Sequence, residues 1–353
     1  MKTLSYRKAL AFDDVLLRPL YSDIRTRSEV DLDSSLDDRW SLTLPIIASP
    51  MDTVTEGVMA RALADIGAMG VIHRYLSIKE QSDIVAEVSE YFTNCNCAGT
   101  KPVAAAIGIT GDYKVRARML YEHGARVFCI DAAHGHHQSM KNAIEYIREE
   151  YGKDVHIMAG NVATPEAYMD LVSWGADSVR VGIGGGSICT TRIKTGHGIP
   201  TLQSILECAP VAKTTGVKLI ADGGIKSSGD IVKALAAGAD FVMVGSLLAG
   251  TDKTPGDILE DDTGGKYKSY RGMASYEAQK DFKGPSKHIE GVASVVQYKG
   301  TTSQVVERLA AGVRSGLSYS GARNIKELYE TSEMFVQSSS STTESSAHIL
   351  LRK

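Results

Sequence analysis

Short apolar runs alternate with amphipathic segments along the chain, in regular order through most of its length. The runs have four or five residues and many β-branched side chains, which is typical of strands covered on both faces. They predict eight strands, at 45–48, 69–72, 103–107, 127–130, 156–159, 178–181, 218–221 and 241–244. Apolar residues at helical spacing between them predict helices that include 57–65, 139–150, 165–174 and 229–237.

A Gly-Ala pair recurs where a predicted helix leads into the next strand. It occurs at Gly67, Gly124, Gly175 and Gly238, and a glycine in this place is a common helix end. Eight strands with intervening helices predict a parallel (β/α)8 TIM barrel. The alternative is a doubly wound sheet, but no G-x-G-x-x-G follows the first strand and opens a helix, so a Rossmann site has no support.

Composition narrows the class of protein. The chain has 353 residues, 43% hydrophobic and 23% charged, which suits one catalytic barrel domain over 1–353 with a flap at about 264–300 and a tail at about 336–353. A net charge of −3 without a basic block gives nucleic-acid binding no support. We find no signal-peptide core and no membrane-spanning run. Five irregularly spaced cysteines argue against a disulfide framework and for the cytoplasm.

Polar residues and glycines follow the predicted strands, and a barrel would bring them together at one mouth. The glycine turns after the last two strands suit a phosphate held by backbone N–H groups. The flap is polar, and we expect a loop-like lid. The Ser/Thr-rich stretch 338–346 predicts a disordered tail.

The most informative stretch is 182–192, which we name the cysteine loop. It holds four glycines, then Cys189, two threonines and Arg192, and it follows the predicted strand 178–181. Glycines let a loop fold tightly and approach a ligand closely. A thiol presented at the carboxyl end of a strand indicates a nucleophile rather than a packing residue.

These motifs, in this order, resemble the IMP dehydrogenase/GMP reductase family over essentially the whole chain. They are Ala11–Leu17, Met51-Asp52-Thr53-Val54, Gly160-Asn161-Val162, the cysteine loop, Ala221-Asp222-Gly223-Gly224-Ile225 and Tyr270-Arg271-Gly272-Met273. The resemblance implies a (β/α)8 barrel, a cytoplasmic purine-nucleotide oxidoreductase and a homotetramer. The CBS pair that many of the family's dehydrogenases insert after the second strand is missing, and only 77–102 fills that place.

The resemblance also assigns roles by position. It implies that Cys189 attacks purine C2 and that Thr191 and Glu290 move protons there. The residues implied to hold the nucleotide, with the 5′-phosphate on the last turns, are Ser49, Met51, Ser187, Asp222, Gly223, Gly224, Gly245, Ser246, Tyr270, Gly272, Met273 and Gly291. Those implied for the nicotinamide cofactor are Arg27, Arg74, Asp131, Ala132, Ala133, Asn161, Ile183 and Gly184. A potassium ion is implied at Gly184, Gly186 and Cys189, with Thr191 and Arg192 and, from a neighbouring subunit, Glu344, Ser345 and Ser346.

The direction of the reaction depends on a hydrolytic base. Dehydrogenases of the family carry an Arg-Tyr pair in the flap, whereas 274–291 of this chain contains no arginine. This favours a GMP reductase that uses NADPH, with Arg27 and Arg74 near the extra phosphate. The alternative is an IMP dehydrogenase that uses NAD, in which Lys287 or His288 replaces the base. Residues 344–348 resemble the dehydrogenase tail.

Two further classes of function remain as alternatives. A non-catalytic nucleotide sensor would be free to lose Cys189, Thr191 and Glu290, but the chain has all three. A phosphate-binding barrel isomerase would have no use for a thiol on a glycine loop. Retained nucleotide binding after Cys189→Ala, with all turnover lost, would exclude the sensor.

Overall fold

The computed structural model describes residues 7–95, 101–284 and 288–345. Short elements precede the barrel. They are a 3-10 turn Phe12–Asp14, strand β1 (Val15–Leu17), a 3-10 turn Arg27–Glu29, and strands β2 (Ser34–Ser35) and β3 (Ser41–Leu42), which pair as an antiparallel hairpin.

Eight parallel strands then close into a barrel, as the alternating pattern predicts. The strands are β4 (Ile46–Ala48), β5 (Met69–Ile72), β6 (Val103–Ile107), β7 (Ala125–Asp131), β8 (His156–Val162), β9 (Ser178–Val181), β10 (Lys218–Asp222) and β11 (Phe241–Val244). Each strand pairs with the next along the chain, and β11 pairs with β4 to complete the ring. The prediction of a (β/α)8 barrel is confirmed.

Helices lie between the strands and after them. They are α1 (Gly57–Asp65), α2 (Ile78–Asn94), α3 (Tyr113–Glu122), α4 (Gln138–Tyr151), α5 (Pro165–Trp174), α6 (Thr191–Thr195), α7 (Thr201–Thr215) and α8 (Ser228–Ala236), with a 3-10 turn Gly152–Asp154 after α4. Each glycine of the four Gly-Ala junctions has a positive φ, between 81° and 112°. A Cβ at Gly67 would lie 1.6 Å from Thr43 Oγ1, so the junction also needs glycine for space.

The hairpin β2–β3 closes the amino end of the barrel. Leu36, Trp40 and Leu42 join the buried cluster that fills the barrel interior. The Nδ1 atom of His156, at the start of β8, lies 3.0 Å from Asp37 Oδ2. Because this end is plugged, the carboxyl end is where the barrel is open to a ligand.

Two expectations about the C-terminal third were wrong. The flap is not loop-like, because β12 (Leu259–Glu260), β13 (Lys266–Arg271) and β14 (Ala293–Gln297) form an antiparallel sheet and α9 (Tyr276–Lys283) lies between β13 and β14. The tail is ordered as far as residue 345: after α10 (Thr302–Tyr319) and α11 (Ile325–Thr331), β15 (Met334–Val336) pairs with β1, and α12 (Ser339–Glu344) follows. The Ser338 side chain caps α12, and serine and threonine hydroxyls bond back along it.

The structure also tests what the cysteines and the hydropathy of the chain predict. Cys129, Cys189 and Cys208 are free thiols, but Cys95 is disulfide-bonded, which corrects the expectation for that residue. Cys95 is the residue that follows the end of α2. Cys97 lies outside the described residues. Among the described helices, none is long and apolar enough to cross a bilayer.

Candidate active site

The open end of the barrel holds a cavity of about 290 Å³. Most of the residues that the sequence analysis selected line it. They are Ser49, Met51, Arg74, Asp131, Ala132, Ala133, Asn161, Ile183, Gly184, Gly186, Ser187, Cys189, Thr191, Asp222, Gly223, Gly224, Gly245, Ser246, Tyr270, Gly272, Met273, Glu290 and Gly291. The structure therefore brings together, in one chain, strand ends that the sequence separates by up to about two hundred residues.

A hydrogen-bonded relay joins the thiol to a carboxylate. The Cys189 thiol donates to Thr191 Oγ1 at 3.2 Å, and the Thr191 hydroxyl donates to Glu290 Oε2 at 2.7 Å. Cys189 is partly exposed to the cavity, whereas Cys129 and Cys208 are buried. The thiol can thus reach a ligand, and a proton can pass between Glu290 and the region beside the sulfur through one hydroxyl.

The flap delivers Glu290 to the cysteine loop by backbone pairing. The N–H of Thr190 donates to the carbonyl of Glu290 at 2.9 Å, and the N–H of Val292 donates to that of Ile188 at 3.1 Å. Cys189 and Gly291 face each other in this antiparallel bridge. The position of the carboxylate therefore depends on a strand-like contact between two segments about a hundred residues apart.

Glycines are required where the cysteine loop meets the turn after β10. A Cβ at Gly182, whose φ is +144°, would lie 2.0 Å from the Asp222 carbonyl oxygen. A Cβ at Gly185 would lie 2.4 Å from Thr201 Oγ1. No side chain fits between these backbones, so the glycines let the loop pack on the turn.

Residues with unpaired backbone N–H groups line the cavity on the side of the last two strands. Within the part of the chain that the structure describes, the N–H groups of Gly224, Gly245 and Ser246 donate to no acceptor. The Ser187 and Tyr270 hydroxyls, 3.3 Å apart, lie at the same side of the cavity. Unpaired N–H groups and hydroxyls are a set of donors suited to an anion such as phosphate.

The sequence analysis missed Arg180, which links the two halves of the cavity. Its guanidinium is buried, and it pairs with Asp131 and with Asp222, each at 2.9 Å. Burial would raise the pKa of Asp131, but the charges of Arg180 and Arg74 outweigh it and hold that pKa below its usual value. One signal was available, since Arg180 is the only charged residue of β9, where it stands between two valines.

The cavity's other half has buried polar atoms that need a partner. Asn161 donates to Asp222 Oδ2 at 2.9 Å, but its Oδ1 has no hydrogen-bond partner among the described residues. Arg74 Nε lies 3.5 Å from Asp131 Oδ2, which is an ion pair without a close hydrogen bond. A buried acceptor left open beside this ion pair fits a polar ligand such as a nicotinamide nucleotide.

The flap helix α9 is attached to the barrel rim at two points, which sequence reasoning also missed. Arg271 pairs with Asp52 at 2.7 Å and with Asp281 of α9 at 2.6 Å. Phe282 of α9 stacks on Tyr75, with ring centroids 4.4 Å apart. These residues fix the flap over the mouth.

Several predicted site residues lie elsewhere in this chain. Arg27 is in a 3-10 turn that contacts α10, and it does not line the cavity. Arg192 also stays outside, because its side chain packs over Gly184 and donates to the Ile199 carbonyl. Glu344 and Ser345, at the end of α12, do not line the cavity either.

The remaining candidates concern the flap and the end of the tail. His288 is exposed, and its carbonyl accepts from Gln279. His288 is not among the residues that line the cavity. Lys287 and Ser346 lie outside the described residues.

Comparison with known proteins gives a consistent family. The IMP dehydrogenase / GMP reductase domain model matches residues 9–348. The chain is similar to inosine-5′-monophosphate dehydrogenase of Cryptosporidium parvum, with 38% identity over 99% of this chain and 97% of that protein. It is also similar to the enzyme of that name from Nitrosopumilus maritimus, with 32% identity over 99% and 100%.

A solved structure matches the whole fold. It is a variant of GMP reductase from Trypanosoma brucei in complex with guanosine 5′-monophosphate, with a TM-score of 0.91 and 30% identity over 98% of this chain and 99% of that one. The relatives thus carry both names of the family.

Proposed function

We propose that this chain, which belongs to the IMP dehydrogenase/GMP reductase family of oxidoreductases, is a GMP reductase. It would convert GMP to IMP and ammonia with NADPH. The observation that carries the proposal is the relay Cys189–Thr191–Glu290 in a cavity whose flap sequence has no Arg-Tyr pair.

The relay suits removal of an amino group from purine C2. The Cys189 sulfur adds to C2, and the C2–N bond of the 2-amino group breaks, leaving a thioimidate on Cys189. The amino group leaves as ammonia only after it gains a proton, and Glu290 through Thr191 is placed to give it. Hydride addition at C2 followed by loss of the sulfur as thiolate would give IMP, and a proton from solvent would restore the thiol.

The flap favours this direction over hydrolysis. An IMP dehydrogenase has to activate water against the same kind of intermediate, which needs a base on the water. Segment 274–291 contains no arginine, and the arginines that line the cavity, Arg74 and Arg180, come from barrel strand ends. Both lie beside Asp131, so neither is set up as a base.

The chain's own residues fit a nicotinamide cofactor on the Asp131 side. Asn161 Oδ1 is buried and open to a ligand there, and Arg74, Ala132, Ala133, Ile183 and Gly184 line the same wall. A reduced nicotinamide bound at this wall supplies the hydride to C2. Arg74 is available to pair with a further phosphate of the cofactor, which supports NADPH. Arg27 would take part only from another subunit.

A monovalent cation also fits the cysteine loop. The carbonyls of Gly184 and Cys189 accept no hydrogen bond from the described residues, and that of Gly186 accepts only the Cys189 N–H at 3.1 Å. Carbonyl oxygens are the donors that hard cations prefer. Potassium held there would stiffen the loop under Cys189. Glu344 and Ser345 would complete the site from a neighbouring subunit of a homotetramer.

The test is cofactor absorbance with purified protein and potassium. We expect absorbance at 340 nm to fall with GMP and NADPH, with release of ammonia, and not to rise with IMP and NAD. Cys189→Ala should abolish turnover, and Glu290→Gln should lower it by about 100-fold or more. Cys208→Ala, which removes a buried thiol on α7, is the matched control and should keep full activity.

The second candidate is an IMP dehydrogenase, which the names of the sequence relatives favour. Formation of XMP from IMP and NAD, with no reaction of GMP, would overturn our proposal. Nucleotide binding without turnover in either assay would favour a sensor.

A further inference from the structure

Lys299 contacts the turn after β11 without lining the cavity. Its Nζ donates to the carbonyl oxygen of Ser246 and, at 3.4 Å, to that of Leu247. Ser246 lines the cavity, and Lys299 does not. The ammonium group therefore acts on the turn through its backbone.

The backbone that carries Lys299 is fixed to the same part of the chain. The Lys299 N–H donates to the Gly250 carbonyl at 2.8 Å, and the Asp252 N–H donates to the Gly300 carbonyl at 3.0 Å. Gly250 has a φ of +83°, and a Cβ there would lie 2.4 Å from the Gln297 carbonyl oxygen. These close contacts hold the base of the side chain, so the ammonium has a defined place behind the turn.

Because a peptide unit is planar, the contact of Lys299 with the Ser246 carbonyl also fixes the direction of the Leu247 N–H. In a trans peptide, C=O and N–H point in opposite directions. When the Ser246 carbonyl is held by Lys299, the N–H of Leu247 points away from Lys299. Within the described residues, the N–H groups of Gly245, Ser246 and Leu247 donate to no acceptor. The contact thus orients the Leu247 N–H away from the ammonium, in the turn that also holds the unpaired N–H groups of Gly245 and Ser246.

The positive charge of Lys299 also favours an anion beside this turn. No carboxylate of the described residues forms an ion pair with its Nζ, and burial lowers the pKa of the side chain. A partly buried cation without a counter-ion is weakly screened and favours an anion nearby. Lys299 and the open N–H groups together make the turn a local positive region.

We propose that Lys299 is a positioning residue for the phosphate of the nucleotide, acting through the carbonyls of Ser246 and Leu247. The inference rests on the proposed function, since it deepens the account of that same site. Lys299 holds the Ser246–Leu247 peptide of the turn and adds a charge beside it, but does not itself touch the ligand.

The experiment compares a nucleotide with its nucleoside. Binding of GMP and of guanosine is measured by calorimetry for the wild-type protein, Lys299→Met, Lys299→Gln and Lys299→Arg. We expect both neutral variants to lose on the order of 10-fold or more of the preference for GMP, and Lys299→Arg to keep most of it. For turnover, KM for GMP should rise while kcat at saturation changes little.

Lys268→Met is the matched control, because Lys268 is a buried lysine whose Nζ also bonds a backbone carbonyl, that of Thr254. It should lower thermal stability and leave the GMP-to-guanosine ratio unchanged. If the Lys299 variants weaken both ligands equally, or neither, the residue is only structural and our inference is wrong. If the wild-type protein itself does not bind GMP, the proposed function fails instead.

Discussion

Three cysteines in the described part of the chain are free thiols, and their surroundings differ. Burial raises the pKa of Cys129 to about 11 and that of Cys208 to about 12, so neither forms a thiolate at neutral pH. Cys189 faces the cavity and has the Thr191 hydroxyl at 3.2 Å. The reactivity of a thiol in this protein therefore depends on its exposure and on a hydrogen-bonding partner such as Thr191, and not only on its being a cysteine.

We therefore predict selective alkylation. Iodoacetamide at neutral pH should modify Cys189 at least about 10-fold faster than Cys129 or Cys208, because the thiolate is the reacting form. Peptide mass spectrometry over time measures the rates, and GMP should protect Cys189. Comparable labelling of Cys129 in the folded protein would contradict this account of the thiols.

The barrel elements were predictable because their signals are local. The strands Met69–Ile72 and Ser178–Val181 have the limits that the apolar pattern gives, and the Gly-Ala junctions end helices with positive φ. The flap sheet escaped prediction because its strands β13 and β14 are separated by α9 and pair only in the folded chain. The ordered tail escaped prediction because β15 pairs with β1 at the other end of the chain. In the site, glycine and cysteine motifs indicated the cavity, but the pairs of Arg180 and the stack on Tyr75 depend on tertiary contact.

At the level of elements, the attachment of α9 is open to test. Asp281→Asn breaks the 2.6 Å pair with Arg271 and leaves the pair between Arg271 and Asp52 intact. Because Asp281 is exposed, the pair is worth less than about 1 kcal/mol, and we expect kcat/KM to fall less than about 5-fold. Hydrogen exchange over 276–284 should quicken. The control is Asp262→Asn, an exposed change in the turn between β12 and β13, which should alter neither kcat/KM nor the exchange rate. Equal exchange rates over 276–284 in the two variants would show that the pair between Asp281 and Arg271 does not hold α9.

For the whole molecule, Asp37 of the hairpin that closes the amino end makes the free energy of unfolding depend on pH. Hydrogen bonds from His156 and Arg39 outweigh burial and hold the pKa of Asp37 well below its usual value of 3.8. A carboxyl with a lowered folded-state pKa stabilises the protein above about pH 4. That contribution is lost as pH falls through the lower, folded-state value.

We predict that Asp37→Asn lowers the free energy of unfolding by about 1 kcal/mol at pH 7. The deficit should shrink as the pH falls below 4, because the wild-type protein loses the same contribution. Urea unfolding at pH 7 and pH 3 measures both differences. Asp38→Asn, at an exposed neighbouring position, should match the wild type at each pH. A deficit that grows in acid would contradict the predicted direction of the pH dependence.

The strand-like contact between Glu290 and Thr190 has a consequence for the order of events. Under the proposed function, the segment that covers the mouth also carries the proton donor Glu290, and the hydrogen bonds of Thr190 and Val292 join it to the cysteine loop. Any movement of that segment away from the cysteine loop would separate the Glu290 carboxylate from Thr191. Proton transfer through Thr191 would therefore require that the segment be paired with the loop, whereas entry of a ligand past the segment would require that it be unpaired.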